Sequence, residues 1–182
     1  MNKHPLSTNL VLVGFMGSGK SSVGRLLATY LGFRFVDTDA MVVKKAGQPI
    51  SEIFAQRGEA AFREEETAAL RSLVGKQLLV VATGGGIVER EENHPLLHEV
   101  GFVVALSATE EVIFERVSRN NKRPLLQTPN PRATISQLLA KRAPLYEAVA
   151  EWHIDSTTKT HAEVANEIIA EARRRTADGA EC

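Results

Sequence analysis

The chain has 182 residues, 43% of them hydrophobic, with 22 basic and 22 acidic side chains and a formal net charge of zero. That length gives one domain with room for a full core, and the charge balance offers no electrostatic footprint for nucleic acid or an anionic membrane. The single cysteine, Cys182 at the last position, excludes an internal disulfide and disfavours a thiol nucleophile.

The first predicted element is a buried strand over Leu10-Val11-Leu12-Val13. It is too short for a signal-peptide core or a membrane span, so a soluble cytoplasmic protein is the expectation. Gly14-Phe15-Met16-Gly17-Ser18-Gly19-Lys20-Ser21 follows at once and spells G-x-x-x-x-G-K-[ST], the phosphate-cradling P-loop. Its glycines let successive backbone N–H groups turn toward one centre. Lys20 adds a cation for the β- and γ-phosphates, and the Ser21 hydroxyl is of the kind that ligates magnesium. From Lys20 to Leu31 the apolar residues Val23, Leu26, Leu27, Tyr30 and Leu31 form a helical stripe, so the loop sits between a strand and a helix N-terminus. A dinucleotide fingerprint fails, because its third glycine would fall on Ser22. The motif specifies a nucleoside triphosphate site.

A second strand is predicted over Phe33–Val36, ending in Asp37-Thr38-Asp39. If that strand persists, the two carboxylates point in alternate directions, one toward a metal and one toward an acceptor; either could instead cap the next helix. A long helix is predicted from about Glu59 to Val74, with Arg63 and Glu66 three apart on one face. The third strand, Leu78–Ala82, runs into Thr83-Gly84-Gly85-Gly86, where close backbone approach and free N–H donors become possible. No aspartate ends this strand, which leaves Asp37 as the natural carboxylate for a magnesium shell. His94 and His98 have metal-ligand spacing, but Pro95 breaks the zinc-protease pattern, and they read as surface histidines. Strands over Phe102–Leu106 and Trp152–Ile154 complete the alternation that means a parallel sheet with helices on both faces. Capping boxes are predicted at Ser107-x-x-Glu110 and Thr160-x-x-Glu163. Between them, Arg119 to Pro131 is rich in Asn and Pro, a long loop of the kind that serves as a lid, with Arg123 inside it. Arg142 lies in Lys141-Arg142-Ala143-Pro144-Leu145-Tyr146, predicted as a helix end stopped by proline. The tail from about 176 to 182 is small, polar and expected to fray.

Taken in order, GFMGSGKS, DTD, FR-x-x-E, TGGG, RPLL and R-x-P-L-Y resemble the shikimate kinases, from about Leu10 to Ile169. The resemblance implies one P-loop kinase domain over 1–182 of the nucleoside-monophosphate-kinase-like variety. Its fold would be three-layer α/β/α, with a five-stranded parallel sheet in order 2-3-1-4-5 and a mobile lid at about 119–131. It implies transfer of the ATP γ-phosphoryl group to the 3-hydroxyl of shikimate, with Mg²⁺ as cofactor, on the route to chorismate. Gly17, Ser18, Gly19, Lys20, Ser21 and Ser22 would then hold ATP, with Ser21 and Asp37 on the metal side. Asp39 would meet the acceptor hydroxyl as candidate base, and Arg63, steadied by Glu66, would share the shikimate carboxylate with Arg142. Gly85 and Gly86 would add backbone contacts to the substrate. Arg123 would reach the phosphates, and Arg116 and Lys159 would sit on the adenine side. ATP and shikimate are the expected partners, with no nucleic acid or membrane, and a monomer is expected. The rivals are a related small-molecule kinase, gluconate- or nucleotide-directed, and a non-catalytic ATP- or ligand-sensing domain. An acceptor site for a small carboxylate argues against the nucleotide-directed kinases, and the lack of a basic DNA-binding module against the sensor.

Overall fold

The structure is a computed structural model that describes residues 6, 8–118 and 128–178. Five strands form one parallel sheet: β1 (Leu10–Val13), β2 (Arg34–Asp37), β3 (Leu79–Ala82), β4 (Phe102–Ser107) and β5 (Trp152–Asp155). Their order across the sheet is β2-β3-β1-β4-β5, as expected. Val11 lies opposite Val81 on one side and Val103 on the other, so β1 is central. Strand side chains alternate between the sheet's two faces, and in a parallel sheet both faces are covered. Val11 and Val13 accordingly join a core with Leu70, Leu97, Ile113 and Tyr146, while Leu10 and Leu12 join a second core with Val23, Leu27, Val164 and Ile168. The first core belongs to helices α3 (Ile50–Arg71), α4 (Asn93–Val100), α5 (Glu110–Ser118) and α6 (Pro131–Val149). The second belongs to α1 (Lys20–Leu31) and α7 (His161–Asp178), which gives three layers. A small cluster of Val42, Ile53 and Phe62 binds α2 (Thr38–Ala46) to α3 beyond the sheet edge.

Several boundaries differ from expectation, each for a local reason. The helix expected from Glu59 begins at Ile50, but its interior is broken at Gly58, whose φ of 77° and ψ of 172° only glycine adopts readily. Helical geometry therefore restarts near the expected residue, and it ends at Arg71 rather than Val74. Leu78 stands in the left-handed region at φ 57° outside the strand, and β3 begins one residue later, where Leu79 N–H donates to Asn9 Oδ1 at 2.9 Å. Ser107 remains in β4 and its hydroxyl donates to Ile154 O, so the capping box there does not form, and Ile113 N–H bonds Thr109 O as α5 starts. The box at Thr160 does form: Thr160 N–H donates to Glu163 Oε2 at 2.7 Å and Glu163 N–H to Thr160 Oγ1 at 3.2 Å. Pro144 does not stop its helix but lies inside α6, which runs on to Val149. The lid expected at about 119–131 lies outside the described residues as far as 127, Arg123 included. At its far end Asn130 Oδ1 caps α6 through Ala133 N–H and Pro131 takes the first turn, where a missing N–H costs nothing.

Candidate active site

A cleft of about 670 Å³ opens at the carboxyl ends of the strands, where parallel α/β sheets bind their ligands. Its walls include Lys20, Ser21, Asp37, Asp39, Gly85 and Arg116, drawn from sequence segments a hundred residues apart. A cleft of about 730 Å³ at the opposite end, lined by Asn9, Lys76, His98, Glu151 and Arg175, is remote from the P-loop.

The P-loop begins at Gly14, where φ is 140° and an added Cβ would strike the Leu106 carbonyl, so no side chain fits. It ends at Gly19, the N-cap of α1, which supplies no capping side chain; no acid occupies the helix's first turn. The first-turn amides and the dipole are left for an anion. Lys20 is buried, and its ammonium donates to the carbonyls of Gly14 at 2.7 Å and Phe15 at 2.8 Å, which tethers it across the loop. Ser18 is wholly buried; its carbonyl lies 3.0 Å from Ser156 Oγ, whose single proton is shared with Ser107 O at 2.9 Å. Ser156 thus ties the P-loop to β4, and Arg116 joins the same knot, donating to Gly17 O at 3.2 Å and Ser156 O at 3.1 Å. Lys159 lines the cleft and pairs with Glu167 at 2.6 Å, while an added Cβ at Gly19 would lie 3.6 Å from the His161 ring. Ser22 is exposed beside them.

Asp37 and Asp39 diverge for a reason other than strand alternation. β2 stops at Asp37 and α2 starts at Thr38. Asp37 Oδ1 caps that helix, accepting from Asp39 N–H at 3.1 Å and Ala40 N–H at 3.2 Å, while Oδ2 accepts from Ser21 Oγ at 3.0 Å. One carboxylate oxygen of Asp37 thus caps α2 and the other meets the Ser21 hydroxyl. A hydroxyl and a carboxylate in contact beside the Lys20 loop are the hard oxygen donors that Mg²⁺ takes alongside phosphates and water. Among the described residues no group of three or more His, Cys, Asp or Glu is arranged for a metal. His94 bonds Val88 O at 2.8 Å and His98 faces Glu151 at 3.6 Å, which separates the two histidines.

Beside Gly85 and Gly86 lie two buried, carboxylate-paired arginines. Arg63 and Arg142 are buried to 8% and 2% residual exposure. Arg63 pairs with Glu66 at 2.5 Å and Glu59 at 2.8 Å, and its guanidinium lies over the Phe62 ring; that of Arg142 lies over Phe15. The glycines of TGGG make room for these groups. A Cβ on Gly84 would strike Glu66 Oε1 and Asp39 Oδ1, one on Gly86 would enter the Arg63 guanidinium, and one on Gly85 would lie 3.3 Å from Met16 N and 3.8 Å from Arg142 Nη1. Thr38 Oγ1 holds Gly84 N–H at 3.0 Å, and the Tyr146 hydroxyl donates to Gly85 O at 2.5 Å. Burial pushes the Glu66 carboxyl up to about 7, and Asp39 adds to the rise, while Arg63 and Arg142 pull against it. Burial likewise raises the Tyr146 hydroxyl, which stays a donor.

The sequence reading missed Glu89, whose carboxylate pairs with Arg63, Arg142 and Lys141. It missed Ser156 and the Thr38 hydroxyl, neither of which belongs to a spacing pattern. Tyr146 had a signal, since it stands four residues after Arg142 on one helix face.

Residues 16–173 match the family model for shikimate kinase. A shikimate kinase of Thermodesulfovibrio yellowstonii is 49% identical over 166 residues, 91% of this chain and 95% of its own length. A solved shikimate kinase of Acinetobacter baumannii in complex with shikimate superposes with a TM-score of 0.87 at 39% identity, covering 91% of this chain and 92% of that one. A gluconokinase of Sinorhizobium meliloti reaches a TM-score of 0.57 at 22% identity, covering 98% of each chain, a likeness of fold alone.

Proposed function

The chain belongs to the shikimate kinase family and is an ATP-dependent kinase that transfers the γ-phosphoryl group to shikimate, and we propose a division of that work among its residues. The acceptor in this reading is the 3-hydroxyl, and the product is shikimate 3-phosphate. The observation that carries the proposal is the position of Gly85, where an added Cβ would lie 3.3 Å from the P-loop amide nitrogen of Met16 and 3.8 Å from the buried Arg142. Donor and acceptor sites are neighbours there.

Gly17, Ser18, Gly19, Lys20, Ser21 and Ser22 bind the nucleotide's phosphates, and Lys20 exchanges its loop carbonyls for phosphate oxygens. Arg116 and Lys159 face the adenine side. Ser21 and Asp37 would hold Mg²⁺, which would supply charge neutralisation at the transferring phosphates. Asp39 receives or orients the acceptor hydroxyl. Arg63 and Arg142 take the shikimate carboxylate, and Gly85 and Gly86 line its ring. Shikimate is an anionic polyol, so guanidinium forks for the acid and a carboxylate for the hydroxyls match its chemistry. Phosphoryl transfer asks for positioning and charge stabilisation, and these groups supply both. Arg123 is assigned to the phosphates on family resemblance alone. Among the described residues no helix is long and apolar enough to cross a membrane. A monomeric cytoplasmic enzyme, one kinase domain over 1–182, completes the proposal.

Titration of shikimate and of ATP against Arg63→Ala and Arg142→Ala tests it. Each variant should lose about 1.5–3 kcal/mol of shikimate binding and keep its ATP affinity. Equal losses for both ligands would contradict a dedicated carboxylate clamp.

A further inference from the structure

One turn beside the acceptor pocket carries an acid with no role in the scheme above. Residues Ile87–Glu89 form a single 3₁₀ turn directly after the glycine triplet, closed by Glu89 N–H on Gly86 O at 3.0 Å. The turn returns Glu89 to the two arginines. One carboxylate oxygen, Oε2, accepts from Arg142 at 2.8 Å and from Arg63 at 3.2 Å; the other, Oε1, accepts from Lys141 at 2.6 Å. Burial alone would raise the Glu89 carboxyl, but Lys141, Arg142 and Arg63 outweigh it and hold the group below the usual range, so it is an anion at neutral pH.

An oxygen shared by two buried guanidiniums is what the carboxylate of a small acid would offer them. We propose that Glu89 is an internal stand-in for the substrate carboxylate: it neutralises Arg63 and Arg142 in the ligand-free protein and yields them to shikimate, thereby setting the affinity of the acceptor pocket. This rests on Arg63 and Arg142 being the carboxylate clamp. Charge balance is the physical reason. Glu89 pairs with Arg142, and Arg63 is shared among Glu59, Glu66 and Glu89, so each guanidinium has a carboxylate partner before any ligand arrives. Two buried cations without counter-ions would be costly, and Glu89 removes that penalty. A substrate carboxylate must then compete for the guanidinium positions that Glu89 Oε2 occupies. Glu89 has a destination: Lys141 is 65% exposed and already holds Oε1, so the displaced carboxylate stays paired at the pocket rim. Glu66 has none, since it is 1% exposed.

The test compares wild type, Glu89→Gln and Glu89→Ala by calorimetric titration with shikimate and with its uncharged methyl ester, alongside steady-state kinetics and thermal melts. Both variants should bind shikimate about tenfold more tightly, the scale of one charge-assisted hydrogen bond no longer contested. The gain should appear in KM for shikimate more than in kcat, be absent from KM for ATP and be absent for the ester. Ligand-free variants should melt lower and gain more Tm from shikimate than wild type does. Unchanged or weaker shikimate binding by folded Glu89→Gln, in a wild type that still prefers acid to ester, would overturn the stand-in and make Glu89 a brace for the arginines. Equal binding of acid and ester by wild type would remove the clamp, and this inference with it.

Discussion

Adding one methyl group at Gly86 should disable the acceptor pocket while leaving the nucleotide site alone. Gly86 has φ −99° and ψ 4°, a conformation open to alanine, so backbone strain plays no part in the substitution. Its Cβ would enter the Arg63 guanidinium. That group cannot simply swing away, because Glu59, Glu66 and Glu89 hold it from three sides. Displacement strains these bonds, of which the one to Glu66 is buried and worth about 1.5–3 kcal/mol, and takes the guanidinium out of reach of a bound carboxylate. The expected loss is therefore about 1.5–3 kcal/mol in kcat/KM for shikimate, roughly 10- to 150-fold. KM for ATP should be unchanged. Losing one glycine's freedom in the unfolded chain returns only about 0.4–1 kcal/mol, so Tm should fall as well. Gly75→Ala is not a clean control, because Gly75 has φ 76°. Ala60→Ser, on α3 and exposed, tests the effect of a surface change on the same helix. Steady-state kinetics with each substrate varied in turn decides the matter. Wild-type KM for shikimate in a folded Gly86→Ala protein would refute the reasoning, for it would mean that Arg63 can move without consequence.

Three further outcomes follow from the same geometry. Lys20→Ala should lower kcat by on the order of 10²–10³, the scale for losing one preorganised charge, and near-normal turnover in a folded variant would exclude Lys20 from the chemistry. Asp39→Asn should abolish transfer with nucleotide binding intact, whereas Asp37→Asn, which can still cap α2, should raise the magnesium requirement; identical magnesium titrations of the two variants would contradict the split. Glu66 has a folded pKa of about 7, above its ordinary value of 4.5, so the native state keeps a proton that the unfolded state has released. Its contribution to stability therefore falls as pH rises from about 4.5 to 7, and Glu66→Gln should flatten that slope in urea unfolding measured between pH 5 and 7.5, an unchanged slope being the contrary result.

The strands and the nucleotide half of the site were legible because their signals are local. A P-loop is contiguous, and its strand and helix flank it, so Gly14 to Ser21 could be placed before any tertiary contact was known. Sheet order came with the family resemblance. The acceptor half is different in kind. Arg63 and Glu66 sit on α3, Arg142 on α6 and Glu89 in a three-residue turn, and only the folded sheet brings them together. Motif order could nominate the two arginines, but nothing in Ile87-Val88-Glu89 marks an acid destined for both. The errors have the same origin. Pro144 reads as a stop because proline usually ends a helix, yet α6 continues around the packed Tyr146 and Val149. Ser107-x-x-Glu110 reads as a capping box because spacing alone cannot tell that Ser107 is still paired in a strand with Asp155 opposite.

In the proposed assignment, sheet order is what brings a phosphoryl donor and a polyol together. β1 lies between β3 and β4, so the loop after β3 is the immediate neighbour of the P-loop. Thr83 N–H and Oγ1 both donate to Leu12 O, at 3.1 and 3.0 Å, which fixes the start of the glycine run against the strand that feeds the P-loop. Thr38 and Tyr146 then fasten Gly84 and Gly85 from either side. The glycines are thus immobilised by their neighbours although each is intrinsically the most flexible of residues. What glycine contributes here is absent volume: the space of three side chains is given to Asp39 and Glu66, to Arg142 and to Arg63. A reacting hydroxyl must come within van der Waals distance of the phosphorus, with its own anionic end several bonds away. In the proposed reading, holding that end on buried guanidiniums, across a backbone pinned to the P-loop, converts one carboxylate contact into alignment of a distant oxygen. Rigid placement of this kind requires a guanidinium oriented before substrate arrives, which for Arg63 is the work of Glu59 and Glu66.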